Sequence, residues 1–390
     1  MSIEQIVGSA GDGKLRDDSE CSKELRVFLS ETPTDSLRKF AEYCLSSPFN
    51  KSGQVLQDVV NELGRRLEFA VVNGRYSGTT NAIGNDGLWR GPDGHDLVVE
   101  VKTTDTYRIS LNTIAGYRDA LCEKKLLAPS HSMLVIVGRD DTGEIEAQIR
   151  GSRHAWDMRL ISVDALLRLL EIKESTEESE TAKKIRGVLR PAEYTRLDSL
   201  IDVLFTAAKD VEDKTSFDLE ANDGGSAPPS SWEFTAPALL ASKRAAIIAA
   251  VSQKLAVTLI KRTRATYWDT EKKTRAVCTL SKRYTKETSV AYWYAYHPGW
   301  DEFVEGGEKG VIALGAMDLD RCFVIPHTLL KDRLDELNTT IKPDGTQYWH
   351  VKILEPIPNK FALQMPKTRN HVPLDEFALD ISSIPLTSLD

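Results

Sequence analysis

The sequence has no cysteine pair at metal-ligand spacing. Its five cysteines, Cys21, Cys44, Cys122, Cys278 and Cys322, are scattered over 390 residues, which argues against a zinc ribbon or a disulfide framework and fits a reducing compartment. No apolar run is long enough to span a bilayer and no signal peptide is evident, so a cytoplasmic protein without a membrane partner is expected. A glycine-rich phosphate loop, a nucleophile elbow and a histidine pair at metal spacing are also missing, which excludes the chemistries those motifs carry. The net charge of -8 does not exclude nucleic acid, because acidic residues concentrate in the middle of the chain and the distribution of charge decides. What is present is an ordinary globular composition, 41% hydrophobic and 28% charged, long enough for two or three domains.

The most informative stretch runs from Gly84 to Thr104, GNDGLWRGPDGHDLVVEVKTT. Gly91-Pro92-Asp93-Gly94 is a turn signal, since proline presets the first turn residue and glycine takes the left-handed position that closes a three-residue loop. That loop sets a register in which Gly91 faces His95, Arg90 faces Asp96, Leu88 faces Val98, Asp86 faces Glu100 and Gly84 faces Lys102. The charged side chains then share one face, and Trp89, Leu97, Val99 and Val101 form the other, as expected of a strand pair packed on a core on one side. Residues directly opposed on antiparallel strands lie roughly 5 Å apart at Cβ, so Asp86 and Glu100 can share one cation with Lys102 beside it. Two carboxylates, the Val101 carbonyl and waters suit Mg2+ or Mn2+, and such an ion beside an ammonium suits phosphodiester hydrolysis.

Three aspartates compete as partner to Glu100. Asp93 has the residue context of a tight turn. Asp96 lies on the same strand and face as Glu100, but four steps of about 3.3 Å separate them by roughly 13 Å, and Arg90 opposite offers it a salt bridge. Asp86 is the first choice and Asp96 the reserve if the register slips.

Asp86, followed fourteen residues later by Glu100-Val101-Lys102 on an apolar strand, resembles the motif of the PD-(D/E)XK nucleases, the superfamily of many restriction endonucleases. The resemblance implies a restriction-endonuclease-like α/β/α core in which the acidic pair binds the metal and the lysine assists the attacking water. It also implies an additional acid from a helix just before the sheet. Val55 to Val72 has helical apolar spacing, with Asn73-Gly74 as its stop, and Glu68 on it is either that acid or a surface glutamate beside Arg65. Gly64, four residues earlier, lets the helix approach the sheet. DNA is favoured over RNA by the resemblance alone, as is a role in restriction or antiviral defence.

Around this core, residues 1–20 read as a loose end and Ser22 to Leu45 as two short helices broken near Thr32-Pro33. After it come a helix at Leu111–Leu127, strands at Ser132–Val137, Glu144–Arg150 and Met158–Ser162 with a turn at Asp141-Thr142-Gly143, and a helix at Val163–Leu170. Thr103 and Thr104 are candidate phosphate contacts. The expected domains are N-terminal helices at 1–45, the nuclease-like core at 46–172, a helical and low-complexity linker at 173–237 and an α+β domain at 238–390. Within the linker, Lys173–Lys184 reads as a solvated linker or a helix end, Pro191–Val211 as a helix, and 218–237 as too polar to build a core.

Between Ala241 and Val290 twelve Lys or Arg face three acids. Lys261, Arg262, Arg264, Lys272, Lys273, Arg275, Lys282 and Arg283 form a basic stretch interleaved with aromatics, which suits a nucleic-acid contact. Half of the aromatics in Ala291–Tyr296 should be core by alternation. His297 and His350 read as packing residues. A helix is expected at Leu329–Leu337, with strands at Gly310–Leu314, Cys322–Ile325 and Tyr348–Ile353. The C-terminal domain is expected to bind nucleic acid or a protein partner, and a homo-oligomer is compatible with this reading. Two other classes stay open: a catalytically silent nucleic-acid-binding or structural subunit, and a nuclease effector active only within a larger complex.

Overall fold

The computed structural model describes residues 2–47, 49–76, 83–103, 109–138, 143–176, 180–191, 237–284, 290–341 and 347–382. It is a mixed α/β chain that divides into two compact units, Met1–Asp210 and Val211–Asp390. The expected helix at 191–211, the low-complexity stretch, the turn at 141–142 and Thr104 lie outside the described residues. No helix among the described residues is long and apolar enough to cross a membrane.

Unit 1 runs α1 (Ile3–Ser9), α2 (Glu20–Glu31), α3 (Thr34–Ser46), α4 (Ser52–Arg66), β1 (Ala70–Asn73), β2 (Gly87–Arg90), β3 (His95–Lys102), α5 (Leu111–Glu123), β4 (Ser130–Val137), α6 (Gly143–Arg150), β5 (Met158–Ser162), α7 (Val163–Ser175) and α8 (Glu180–Val188). Its sheet has the order β1-β2-β3-β4-β5, antiparallel from β1 to β3 and parallel from β3 to β5. The hairpin has the expected register from Arg90 opposite Asp96 through Leu88 opposite Val98 to Gly87 opposite Val99, where the ladder ends. The expected pairs Asp86–Glu100 and Gly84–Lys102 are not formed, and Asp86 N–H donates to the Val99 carbonyl. Gly91 N–H donates to the His95 carbonyl, and Gly94 takes φ +77° to close the loop.

Packing on one side only does not hold for this strand pair. Leu97, Val99, Leu134 and Ile136 pack against α1–α4 and α7, while Val98, Met133 and Val135 enter a second core with Ile109, Ile114 and Ile145 from the α5 and α6 side. Parallel strands demand this, because their crossover helices cover the sheet faces.

Several local expectations are corrected. Residues 3–9 form a helix whose Ser2 and Gln5 make a reciprocal cap, with Ile3, Ile6 and Val7 buried. Helix α4 ends at Arg66 and not at Val72. Glu68 takes φ +70°, its N–H donates to the Arg65 carbonyl and that of Phe69 to the Gly64 carbonyl, a Schellman-type stop made without glycine. Val71 therefore sits on a strand, paired with Trp89. Residues 143–150 are helical, because Ile145 and Ile149, one helical turn apart, both reach the second core. Lys173 is buried in the last turn of α7 and donates to the Arg66 carbonyl, so of the two readings of 173–184 its start is a helix end inside the fold and not a solvated linker.

Gly64 does let α4 approach the sheet. A Cβ placed there would lie 2.5 Å from the Trp89 ring, and Trp89 is fully buried.

Unit 2 opens with α9 (Pro237–Leu255), followed by β6 (Ile260–Lys261), β7 (Thr266–Trp268), β8 (Thr274–Ser281), β9 (Val290–Tyr296), α10 (Pro298–Glu305), β10 (Lys309–Ala316), β11 (Arg321–Pro326), α11 (His327–Lys331), β12 (Thr339–Ile341), β13 (Gln347–Ile357), β14 (Lys360–Met365), β15 (Asn370–Pro373) and β16 (Ala378–Asp380). One sheet has the order β16-β11-β10-β8-β7-β6, and the other joins β12 to β15 with β9 along β13. The helix expected at 329–337 is a short α-helix followed by a 3-10 turn at Leu334–Glu336. Tyr292, Tyr294 and Tyr296 are core between the sheets, as alternation requires.

Candidate functional site

The site is built where β2 frays away from β3. Asp86 N–H still donates to the Val99 carbonyl at 3.0 Å, but one step on, Val101 N–H donates to Asp86 Oδ2 at 2.7 Å. A carboxylate oxygen has taken the place of a ladder carbonyl, which directs Asp86 toward Glu100. The N–H and C=O of one strand residue leave by the same edge, so the Val101 carbonyl faces the Asp86 side, while the Lys102 carbonyl accepts from Gly138 N–H on the other.

The backbone of Asp86 is clamped from α4. Gln57 Nε2 and Asn61 Nδ2 each donate to its carbonyl at 2.9 Å, and Gly74 N–H adds a third bond at 2.9 Å. Asn61 Oδ1 in turn accepts from Trp89 Nε1 at 2.9 Å. A Cβ on Gly87 would lie 2.3 Å from Asn61 Oδ1, so glycine is needed for this approach. Sequence reasoning missed Gln57 and Asn61; their only signal is polar residues four apart on a helix whose polar face looks solvated.

Glu100 is 6% exposed. Its Oε1 lies 2.5 Å from Lys102 Nζ, and its Oε2 is buried with no hydrogen-bond partner among the described residues. Burial raises the Asp86 pKa to about 7, with the Glu100 charge adding to the effect and the Val101 N–H and Lys102 opposing it. Burial also raises Glu100, against the pull of Lys102. Burial alone would lower Lys102, but Glu100 and then Asp86 outweigh it, so its pKa is raised and it stays an ammonium.

Tyr117 on α5 joins the site from the second core. Its hydroxyl would lie 2.9 Å from a Cβ on Gly84, and its pKa is raised by burial and then by the Glu100 charge. Nothing in the sequence spacing pointed to it.

No protein-family model matches the chain, and no curated protein matches it significantly.

Other expected residues sit elsewhere. Glu68 lies past the end of α4, 3.4 Å from Lys173 Nζ and 3.7 Å from Arg186 Nη1. It joins the end of α4 to α7 and α8 and does not meet the acidic pair. Asp96 accepts from Ala128 N–H at 2.8 Å, while Arg90 donates to the Leu126 carbonyl instead of pairing with Asp96. Asp93 pairs with Arg190. His95 contacts Ser130 Oγ and Ser132 Oγ as a buried packing residue.

Among the described residues no group of three or more His, Cys, Asp or Glu gathers as a metal site. An ion here would be held by Asp86, Glu100 and the Val101 carbonyl, with water filling the rest, a donor set that would fit Mg2+ or Mn2+. The unpartnered Glu100 Oε2 fits the same requirement.

In unit 2 the basic residues divide. The Arg262 guanidinium lies 5.2 Å from the Trp268 ring and 5.3 Å from that of Phe303, and Lys272 Nζ lies 4.8 Å from Trp268. Arg275 packs on Phe303 and donates to its carbonyl. Lys261 is exposed on β6, and Arg264 and Lys282 are half-buried. Lys273 pairs with Glu271. Arg283 instead bridges Asp318 and Glu355, which neutralises it. His350 accepts from Trp293 Nε1 at its Nδ1 and meets Thr340 Oγ1 through Nε2; His297 packs edge-on against Trp300.

The raised Asp86 pKa has a definite sign in stability. A carboxyl whose folded pKa exceeds its unfolded value near 3.9 contributes stability below that unfolded value and loses it as pH rises to about 7. In metal-free buffer the Tm of Asp86→Asn relative to the unmodified protein should therefore climb between pH 4 and pH 7 and level off above. A difference independent of pH would contradict the burial of this carboxyl.

Proposed function

We propose that the chain is a metal-dependent endonuclease of PD-(D/E)XK type, with a restriction-endonuclease-like core in unit 1, that hydrolyses phosphodiester bonds in DNA. The observation that carries this reading is the convergence of Asp86 and Glu100 from neighbouring strands beside Lys102, with Glu100 Oε2 buried and unpartnered. Preference for DNA over RNA, and a role in restriction or antiviral defence, rest on the family resemblance.

Asp86 and Glu100 hold the ion, and the Val101 carbonyl faces the same place. When bound, Mg2+ or Mn2+ supplies Lewis-acid polarisation of the phosphoryl group. Lys102, kept as an ammonium, donates hydrogen bonds to a phosphate oxygen or to the attacking water and offsets developing negative charge. The three bonds to the Asp86 carbonyl hold the pair in place without reorganisation.

The Glu100–Lys102 ion pair also favours a second reading, a catalytically silent nucleic-acid-binding or structural subunit, since it already balances one of the two charges. Cleavage of duplex DNA by the full chain separates the two. Cleavage should require Mg2+, vanish in EDTA and return with excess Mg2+. Its rate should rise from pH 6 to pH 8, because binding the ion displaces the proton held by Asp86 near pH 7. Undiminished cleavage in EDTA would overturn the metal mechanism, and no cleavage under any of these conditions would favour the silent subunit.

A further inference from the structure

At the start of α5 lies a cavity of about 720 Å3, lined on its polar side by Ser110, Asn112, Gln148, Ser152, Arg153 and His154. This volume is in the range that holds a nucleotide-sized ligand, roughly 300–1,000 Å3. Its lining includes an arginine and a histidine and no carboxylate among the described residues, so its chemistry suits an anion. Gln148 braces the wall by bonding both the N–H and the carbonyl of Ile109. His154 is 5% exposed, and its Nε2 has two long contacts, 3.4 Å to Asn112 Oδ1 and 3.4 Å to Arg153 Nε. Arg153 itself is exposed. Ser110 Oγ caps Thr113 N–H, and the first turn of the 13-residue helix α5 adds the positive end of its dipole.

Topology places the cavity beside the acidic pair. Strands β3 and β4 are parallel neighbours joined through α5, so the helix runs back against them and begins at the end of the sheet where Lys102 lies. Tyr117, which senses the charges of Glu100, Lys102 and Asp86, is six residues further along α5, roughly 9 Å at 1.5 Å per residue.

We propose that this cavity is a phosphate seat. It takes a backbone phosphate of the bound nucleic-acid strand beside the bond presented to Asp86 and Glu100, so α5 lies along the path of the strand. The assignment of the strand to the acidic pair rests on the nuclease reading; the anion seat itself does not.

The test is binding of labelled duplex DNA to the full chain in EDTA, by fluorescence anisotropy over a range of salt. Arg153→Gln should weaken binding about tenfold, as loss of a charged hydrogen bond does, and lower the magnitude of the salt slope by about one. Asn112→Asp, which puts a carboxylate into the cavity, should weaken it at least as much. Arg150→Gln, an exposed cation of α6 paired with Glu146 and outside the lining, should leave both unchanged. Wild-type affinity and slope in Arg153→Gln, or no DNA binding by the unmodified protein, would overturn the seat. Mg2+-dependent cleavage with binding indifferent to Arg153 would sink the seat and leave the nuclease reading standing. Binding that depends on Arg153 with no cleavage would do the reverse.

Discussion

Glu100→Gln should lower Mg2+-dependent DNA cleavage by about a thousandfold or more, roughly 4 kcal/mol of transition-state stabilisation. Glutamine keeps the volume of the side chain but removes the charge that, with Asp86, holds the ion. Folding should survive, because the carboxyl is raised in pKa by burial and one of its oxygens has no partner; replacing it removes an unfavourable charge. Lys102 keeps Asp86 as a neighbouring anion. The measurement is kcat/KM at saturating Mg2+ together with a thermal melt. Cleavage within tenfold of wild type, with Tm intact, would leave the acidic pair without a catalytic role.

Arg66→Ala should unfold unit 1 well below the melting temperature of the unmodified protein. The guanidinium is buried and donates to Glu62 Oε1 at 3.1 Å, Thr34 Oγ1 at 3.0 Å, the Leu29 carbonyl at 3.2 Å and the Thr32 carbonyl. Thr34 passes a bond on to Glu174, and Lys173 closes the network on the Arg66 carbonyl. Truncation leaves the buried Glu62 carboxylate with Arg65 alone, at 3.4 Å, and removes the guanidinium donors to the Leu29 and Thr32 carbonyls, a cost of about 3–5 kcal/mol. At roughly 2–4 °C per kcal/mol for a unit of this size, the Tm should fall by about 6–20 °C. A shift under about 2 °C would show that water reaches the network. Because α4 carries Gln57 and Asn61 to the Asp86 carbonyl, the same change should depress any activity of the acidic pair.

The hairpin was legible because everything that specifies it is local. Pro92-Asp93-Gly94 selects the loop, the loop sets the register as far as Gly87 opposite Val99, and alternation along β3 puts Glu100 and Lys102 on one face, where they pair. Asp86 reaches them outside that register, through the bond of its carboxylate to Val101 N–H. Glu68 was misplaced for a complementary reason: apolar spacing from Val55 to Val71 is compatible with one continuous helix, and only the packing of Phe69 and Trp89 rewards stopping at Arg66 and paying for a left-handed glutamate. Residues 143–150 likewise alternate in charge as a strand might, yet a helix is what carries both Ile145 and Ile149 into the core.

By itself, then, the sequence determined the turn, the strand register as far as Gly87 opposite Val99 and the placing of Glu100 beside Lys102, because those depend on contacts within two neighbouring strands. Only the tertiary structure decided that both faces of β3 are covered, that Glu68 joins α7 and α8, that Gln57 and Asn61 hold Asp86, and that Tyr117 comes close to Gly84 beside the site. These depend on which distant surfaces bury one another, and burial, not spacing, is also what lifts the Asp86 carboxyl toward neutrality.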